Sequence, residues 1–171
     1  MPGLLDTEVA PDFSDPIGLL EACHGRIAQH CELLQRMCEH QDTHGADPEL
    51  ADAARKVLRY FDIAAPHHHA DEERDLFPAL AGETDLAELI AQLQAEHEQH
   101  DRLWQTLRQD LHKVTNGQVA PALRQHTNPF VEAYLQHAEI ENQHILPRAR
   151  SVLDTETLAA IGTAMATRRQ N

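Results

Sequence analysis

Apolar residues recur at intervals of three and four along most of this chain, the spacing that places them on one face of an α-helix. Leu20, Ile27, Cys31, Leu34 and Cys38 form one such stripe. Leu86, Ile90, Leu93, Trp104, Leu107, Leu111 and Val114 form another. Start and stop signals divide the pattern into elements. Asp15 before Pro16 predicts an N-cap with proline at the first helical position, opening a helix to about Gln41. After the polar segment 42–50, Asp47 before Pro48 repeats the signal for a second helix to about Leu80, which Pro66 should kink or interrupt. Asp85 with Glu88 three residues on resembles a capping box for a third helix, which should stop near Asn116-Gly117. A fourth starts at Pro121 or at Asn128-Pro129 and ends near Pro147, and a fifth, shorter one follows from Asp154 as cap through residues 158–166.

Four long helices with short links predict an all-α fold, an up-down-up-down four-helix bundle over residues 15–150. Residues 1–14 form a loose arm from which Leu4, Leu5 and Phe13 could tuck against the bundle, and residues 151–171 carry an additional short C-terminal helix packed on it. Composition agrees: 42% of residues are hydrophobic, only seven are glycine, and Ala, Leu, Glu, Gln and Arg dominate the long stretches. At 171 residues one domain suffices to enclose an internal site. A formal charge of −14 argues against nucleic acid or an anionic membrane as partner, and makes cations the more natural ligands. The three cysteines, Cys23, Cys31 and Cys38, lie on one helix and cannot all pair, which favours a reduced, cytoplasmic protein. The first residues lack a basic n-region and an apolar h-region, and no run of about 18 apolar residues occurs.

Thirteen histidines are a heavy load, and their arrangement decides what they do. His24 interrupts the first stripe, and His97 and His100 interrupt the second, so imidazoles point inward on both helices. The second and fourth helices carry something more specific. His68 is followed four residues later by Glu72 and His137 by Glu141; each His stands ten residues, and each Glu six, before a proline, Pro78 or Pro147. Spacing of four puts the two side chains one turn apart on one face. That face on the fourth helix is Phe130, Tyr134, His137, Glu141 and Ile145, so the polar pair sits among apolar neighbours. The halves of the chain match: a lone His24 precedes His68/Glu72, and a lone His97 precedes His137/Glu141. Two such hairpins packed antiparallel would bring four imidazoles and two carboxylates to one level of the core.

Burying those groups without compensation costs several kcal/mol per charge, and no Lys or Arg lies on these stripes to pair with them. Metal cations resolve the conflict. Six donors exceed a closed tetrahedral zinc site and suit two ions bridged by carboxylates, with positions left for water or a small gas. Mixed imidazole and carboxylate donors in a helical bundle favour iron, with manganese or zinc as alternatives. Because Pro66 can shift the phase of the second helix, the register His69/Glu73 stays open, and His100 and His144 stay open as further ligands. His30, His40, His44, His112 and His126 read as solvated or capping residues, Cys31 and Cys38 as small core hydrophobes, and Tyr134 as packing.

The segments DPIGLLEACHGRI, HHHADEERDLFPAL, QAEHEQHDRLW and QHAEIENQHILP resemble the hemerythrin-like, HHE cation-binding family over about residues 16–150. The resemblance implies His24, His68, Glu72, His97, His137 and Glu141 as ligands of two non-haem iron ions, bridged by oxo or hydroxo groups and by carboxylates. It implies a small gaseous or peroxide partner: a protein that binds or senses oxygen, nitric oxide or peroxide. Alternatives are a di-iron enzyme decomposing peroxide or nitric oxide, and a metal-storage or structural metal bundle. Two departures stand out. Oxygen carriers of the family have a second histidine one turn before the third-helix ligand, where this chain has Leu93, and end on an aspartate five residues after its histidine, where this chain has Glu141 at four. Fewer imidazoles weigh against stable reversible oxygen carriage and leave redox sensing or iron handling. The cysteine motif of iron-centre repair members is absent from the N-terminal segment.

Overall fold

In the computed structural model, which describes residues 11–170, every regular element is helical. The first helix, α1, runs Pro16–His44. Asp15 caps it by accepting from the Gly18 N–H at 3.0 Å, and it ends at Gly45, whose φ of 73° suits glycine. That is one turn beyond Gln41, whose side chain instead clamps the opposite loop through both atoms of its amide, to the Ala120 carbonyl and N–H. The second helix, α2, spans residues 48–79 and opens with the Asp47 cap accepting from Leu50 N–H at 2.8 Å. Pro66 does not break it. The helix widens into a π turn at Tyr60–Ala64, resumes at Ala65–Asp71, and widens again at Glu72–Leu76 before Pro78.

The third helix, α3, is Ala87–Thr115, entered through a 3₁₀ turn at Thr84–Leu86 and stopped at Asn116 and Gly117, φ 75°. The Asp85 capping box does not form. Asp85 takes both of its hydrogen bonds from Arg148 at 2.7 and 2.8 Å, a charge-assisted pairing that outcompetes a neutral backbone donor. The fourth helix, α4, spans residues 123–152, with a third π turn at Glu141–Ile145 before Pro147. It starts at Leu123, just past Pro121; Pro129 lies inside it, and Pro147 passes through without ending it. The last helix, α5, is Thr155–Arg168, capped by Asp154 as expected.

The four long helices pack as a ring in chain order, α1 against α2 and α4, and α3 against the same two. Their inward faces form two apolar clusters. Ile27, Leu34, Phe61, Trp104, Leu107 and Phe130 belong to one, and Ile17, Leu20, Leu76, Leu93, Ile145 and Leu146 to the other. His24 falls between Leu20 and Ile27, so a polar layer divides the two. The α5 helix lies over α1 and residues 65–76 of α2, burying Ile161 and Met165 in the second cluster. Of the arm, Leu4 and Leu5 fall outside the described residues. Phe13 packs on α5: its ring takes the Arg169 guanidinium at 5.7 Å, and its carbonyl sits where a Cβ on Gly162 would stand. Gly162→Ala therefore forces the arm off α5, and a loss of roughly 1–3 kcal/mol is expected in chemical denaturation; an unchanged midpoint would show that residues 11–14 do not stabilise the bundle.

Candidate metal centre

Each of the three π turns precedes a proline, and the cause is local. Proline offers no N–H and its ring collides with the carbonyl four residues back. The residue before it reaches one residue further instead: Ala65 N–H bonds to the Tyr60 carbonyl, Phe77 N–H to Glu72 and Leu146 N–H to Glu141. The spacing of six between each glutamate and its proline thus makes Glu72 and Glu141 the first residues of wide turns. Such turns re-aim side chains at the point where the helix is widened.

His24, His68, Glu72, His97, His137 and Glu141 meet in the polar layer, all of them buried. The two carboxylates lie between two pairs of imidazoles. Glu72 Oε1 stands 3.0 Å from His68 Nε2 and 3.6 Å from His24 Nε2, while its Oε2 stands 3.2 Å from His97 Nε2. Glu141 Oε2 stands 3.0 Å from His24 Nε2, while its Oε1 stands 3.3 Å from His137 Nε2. His97 and His137 bring their Nε2 atoms within 3.0 Å of each other. Two four-donor groups result, His24/His68/Glu72/Glu141 and His97/His137/Glu72/Glu141, which share both carboxylates.

These donors fit metal ions on two counts. Adjacent ligands at about 2.1 Å from one ion stand about 3 Å apart, the separation seen here. Moreover, all four carboxylate oxygens and His24 Nε2 are buried with no aligned hydrogen bond among the described residues, which is costly unless something else satisfies them. The atoms are close but side by side, as donors aimed at a common point would be. Between the side chains alone, protonation of the imidazoles does part of that work. Burial opposes protonation of His24, but the Glu141 and Glu72 carboxylates, 3.0 and 3.6 Å from its Nε2, outweigh it and lift its pKa to about 9. Burial likewise disfavours the charged forms of His68 and His97, yet the neighbouring carboxylates raise both, and Glu72 is held well below the usual carboxylate range by His68, His24 and His97 against its own burial.

The far nitrogens of three imidazoles are held in place. His24 Nδ1 pairs with Asn142 Oδ1 at 2.7 Å, His97 Nδ1 with Glu73 Oε1 at 2.7 Å, and His137 Nδ1 with Glu96 Oε2 at 2.8 Å. An acceptor at Nδ1 fixes the tautomer that leaves Nε2 free for a cation. His68 differs, since its Nδ1 has no aligned partner and faces Cys23. Burial works against a Cys23 thiolate, but His68 and Arg26, whose Nη2 donates to Sγ at 3.0 Å, pull its pKa below the ordinary value. Cys31, by contrast, is pushed up to about 12 by burial alone, as suits an inert core thiol.

The register follows His68/Glu72, at 2% and 0% exposure; Glu73 is exposed and turns its carboxylate to His97. His144 faces solvent. His100 is buried one turn from His97 but belongs to neither donor group, and burial together with His137 and His97 pushes its pKa down to about 3. Of the remaining histidines, His40 pairs with the Asp47 cap, His126 with buried Asp110, and His30 stacks on Tyr60. Cys23, Glu96 and Asn142 carry no ligand signal of their own in the sequence, and Glu73 enters there only as a ligand of the alternative register, although each of the four is the chain neighbour of one of the six.

A helical bundle enclosing a shared carboxylate and imidazole layer defines a cation-binding protein. The sequence model of the Hemerythrin HHE cation binding domain matches residues 15–149, and the chain belongs to that family. An uncharacterized protein of Haemophilus influenzae is similar to it, 28% identical over 170 residues that cover 98% of this chain and 97% of that one.

Proposed function

We propose that this chain is a cytoplasmic di-iron protein that binds or senses oxygen, nitric oxide or peroxide, with His24, His68, Glu72, His97, His137 and Glu141 as the iron ligands. One observation carries the reading: Glu72 and Glu141 each direct one oxygen to the His24/His68 pair and the other to the His97/His137 pair. That is the placement of bridges between two ions. Four imidazoles with two carboxylates, set in a bundle core, suit iron. When bound, iron supplies a redox-active Lewis acid with positions free for a small ligand. The protein's part is to hold the donors: Asn142, Glu73 and Glu96 orient the imidazoles, and the apolar clusters on either side keep bulk water out. Three buried cysteines without disulfides agree with a reducing compartment, and none of the described helices is long and apolar enough to cross a membrane.

Anaerobic loading with ferrous iron, dialysis and metal analysis test the proposal. About two irons per chain are expected, with near-ultraviolet absorption developing on exposure to air. Retention well below one iron per chain, or preferential retention of zinc by a colourless protein, would overturn it.

A further inference from the structure

A cleft of about 320 Å³ opens between α2, α3 and α4 one turn from the polar layer, lined in part by Pro66, His69, Asp101, Trp104 and Tyr134. Its inner wall is one side chain thick. The His69 ring stacks on His97 with centroids 4.0 Å apart and planes at 15°, and faces Tyr134 at 5.8 Å. Tyr134 in turn stacks on His100 at 4.0 Å, and the His100 ring stands 4.8 Å from that of His137. Of the four ligand imidazoles, that of His97 backs the His69 ring directly, while those of His68 and His137 stand further off, at 6.1 and 6.5 Å.

Three features bear on what could pass. The His69 ring is held by stacking on His97 and Tyr134, with no hydrogen bond to fix it among the described residues, so a change of rotamer can open the wall. His100 Nδ1, buried behind Tyr134, makes no aligned hydrogen bond among the described residues, which leaves it as a polar anchor for a small guest. The charge around the mouth is negative. Asp62 is neutralised by Arg108 and the Trp104 indole N–H, but Asp101 makes no ion pair among the described residues. A carboxylate over an aromatic passage disfavours anions and is indifferent to neutral molecules.

We propose that this cleft is the entry route for small uncharged molecules, a diatomic gas or hydrogen peroxide, to the His97/His137 half of the site, with His69 as its gate and Asp101 as its charge filter. The proposal rests on the di-iron reading for the destination of the ligand, but not for the cleft itself, so two measurements separate them.

In metal-free protein Trp104, the chain's single tryptophan, reports on the cleft. Acrylamide, which is neutral, should quench its fluorescence well and iodide poorly, and Asp101→Asn should raise iodide quenching roughly threefold while leaving acrylamide unchanged. Equal quenching by both in the native chain, or no response to Asp101→Asn, overturns the filter. In iron-loaded protein, stopped-flow mixing with nitric oxide reads the gate. His69→Ala should speed association roughly tenfold, as for a gate open about a tenth of the time, and His69→Trp should slow it. Variants that hold iron as the native chain does yet bind nitric oxide at the native rate overturn the gate alone; a native chain that takes up no iron overturns the di-iron reading and leaves the fluorescence result to decide the cleft.

Discussion

Replacing Arg168 and Arg169 together by alanine is expected to lower the melting temperature of the metal-free protein by roughly 6–20 °C. The reason lies in Asp71, a carboxylate at 0% exposure on the face of α2 that α5 covers. Its oxygens are taken up by the two arginines: Arg169 donates at 2.6 and 3.2 Å, Arg168 donates closely to Oδ1, and Arg168 also reaches Asp75 at 2.7 Å. Without them a buried charge is left unpaired, at a cost of about 3–5 kcal/mol. At this chain length each kcal/mol corresponds to roughly 2–4 °C. The sign of a further change tests the cause. Adding Asp71→Ala to the double variant removes the unpaired charge and should restore part of the lost stability. If the triple variant melts no higher than the double, the arginines stabilise through packing of α5 and not through Asp71. Metal-free protein is used because a bound ion would add its own stabilisation.

Asp71 also shows where reading the chain stops. It precedes Glu72 and sits in a run of acidic residues, so in sequence it is an ordinary polar helical position. Only the docking of α5, nearly a hundred residues later, buries it. The six inward groups were legible because their signal is local: stripes of period three and four, a His and a Glu one turn apart, and a proline at a fixed distance. That same proline encoded the π turns, yet the π turns were not foreseen. A kink at Pro66 was the expectation, since proline removes a hydrogen bond, and the alternative bond to the fifth residue back depends on how the whole rod is held by its neighbours. The orienting groups fail for a related reason. Glu73 serves His97, Glu96 serves His137 and Asn142 serves His24, each across a helix interface. Their partners are fixed by packing, which spacing along one helix does not describe. Asp85 is the reverse case, a locally sound cap signal overridden by Arg148 from another helix.

The sharing of both carboxylates leads to the second large effect. Glu72→Gln should reduce retained metal from about two ions per chain to near zero, whereas His68→Ala should leave about one. His68 contributes a single nitrogen to a single donor group, so its loss leaves the His97/His137 group with all four donors. Glu72 contributes to both groups, Oε1 beside His68 and Oε2 beside His97. The amide has the same shape but carries no charge and replaces one oxygen with a nitrogen that donates. It thus weakens both groups at once, and two ions close together need the bridging negative charge more than either would alone. Glutamine at this position should also be tolerated by the fold. Glu72 is held well below the ordinary carboxylate range because His68, His24 and His97 outweigh the cost of burial, so the amide lowers the stability of the metal-free protein while keeping the shape that the packed helices require. Metal analysis after anaerobic loading, with circular dichroism to confirm helix content, distinguishes the outcomes. Equal losses in Glu72→Gln and His68→Ala would mean that the two halves of the layer do not hold separate ions joined by shared carboxylates.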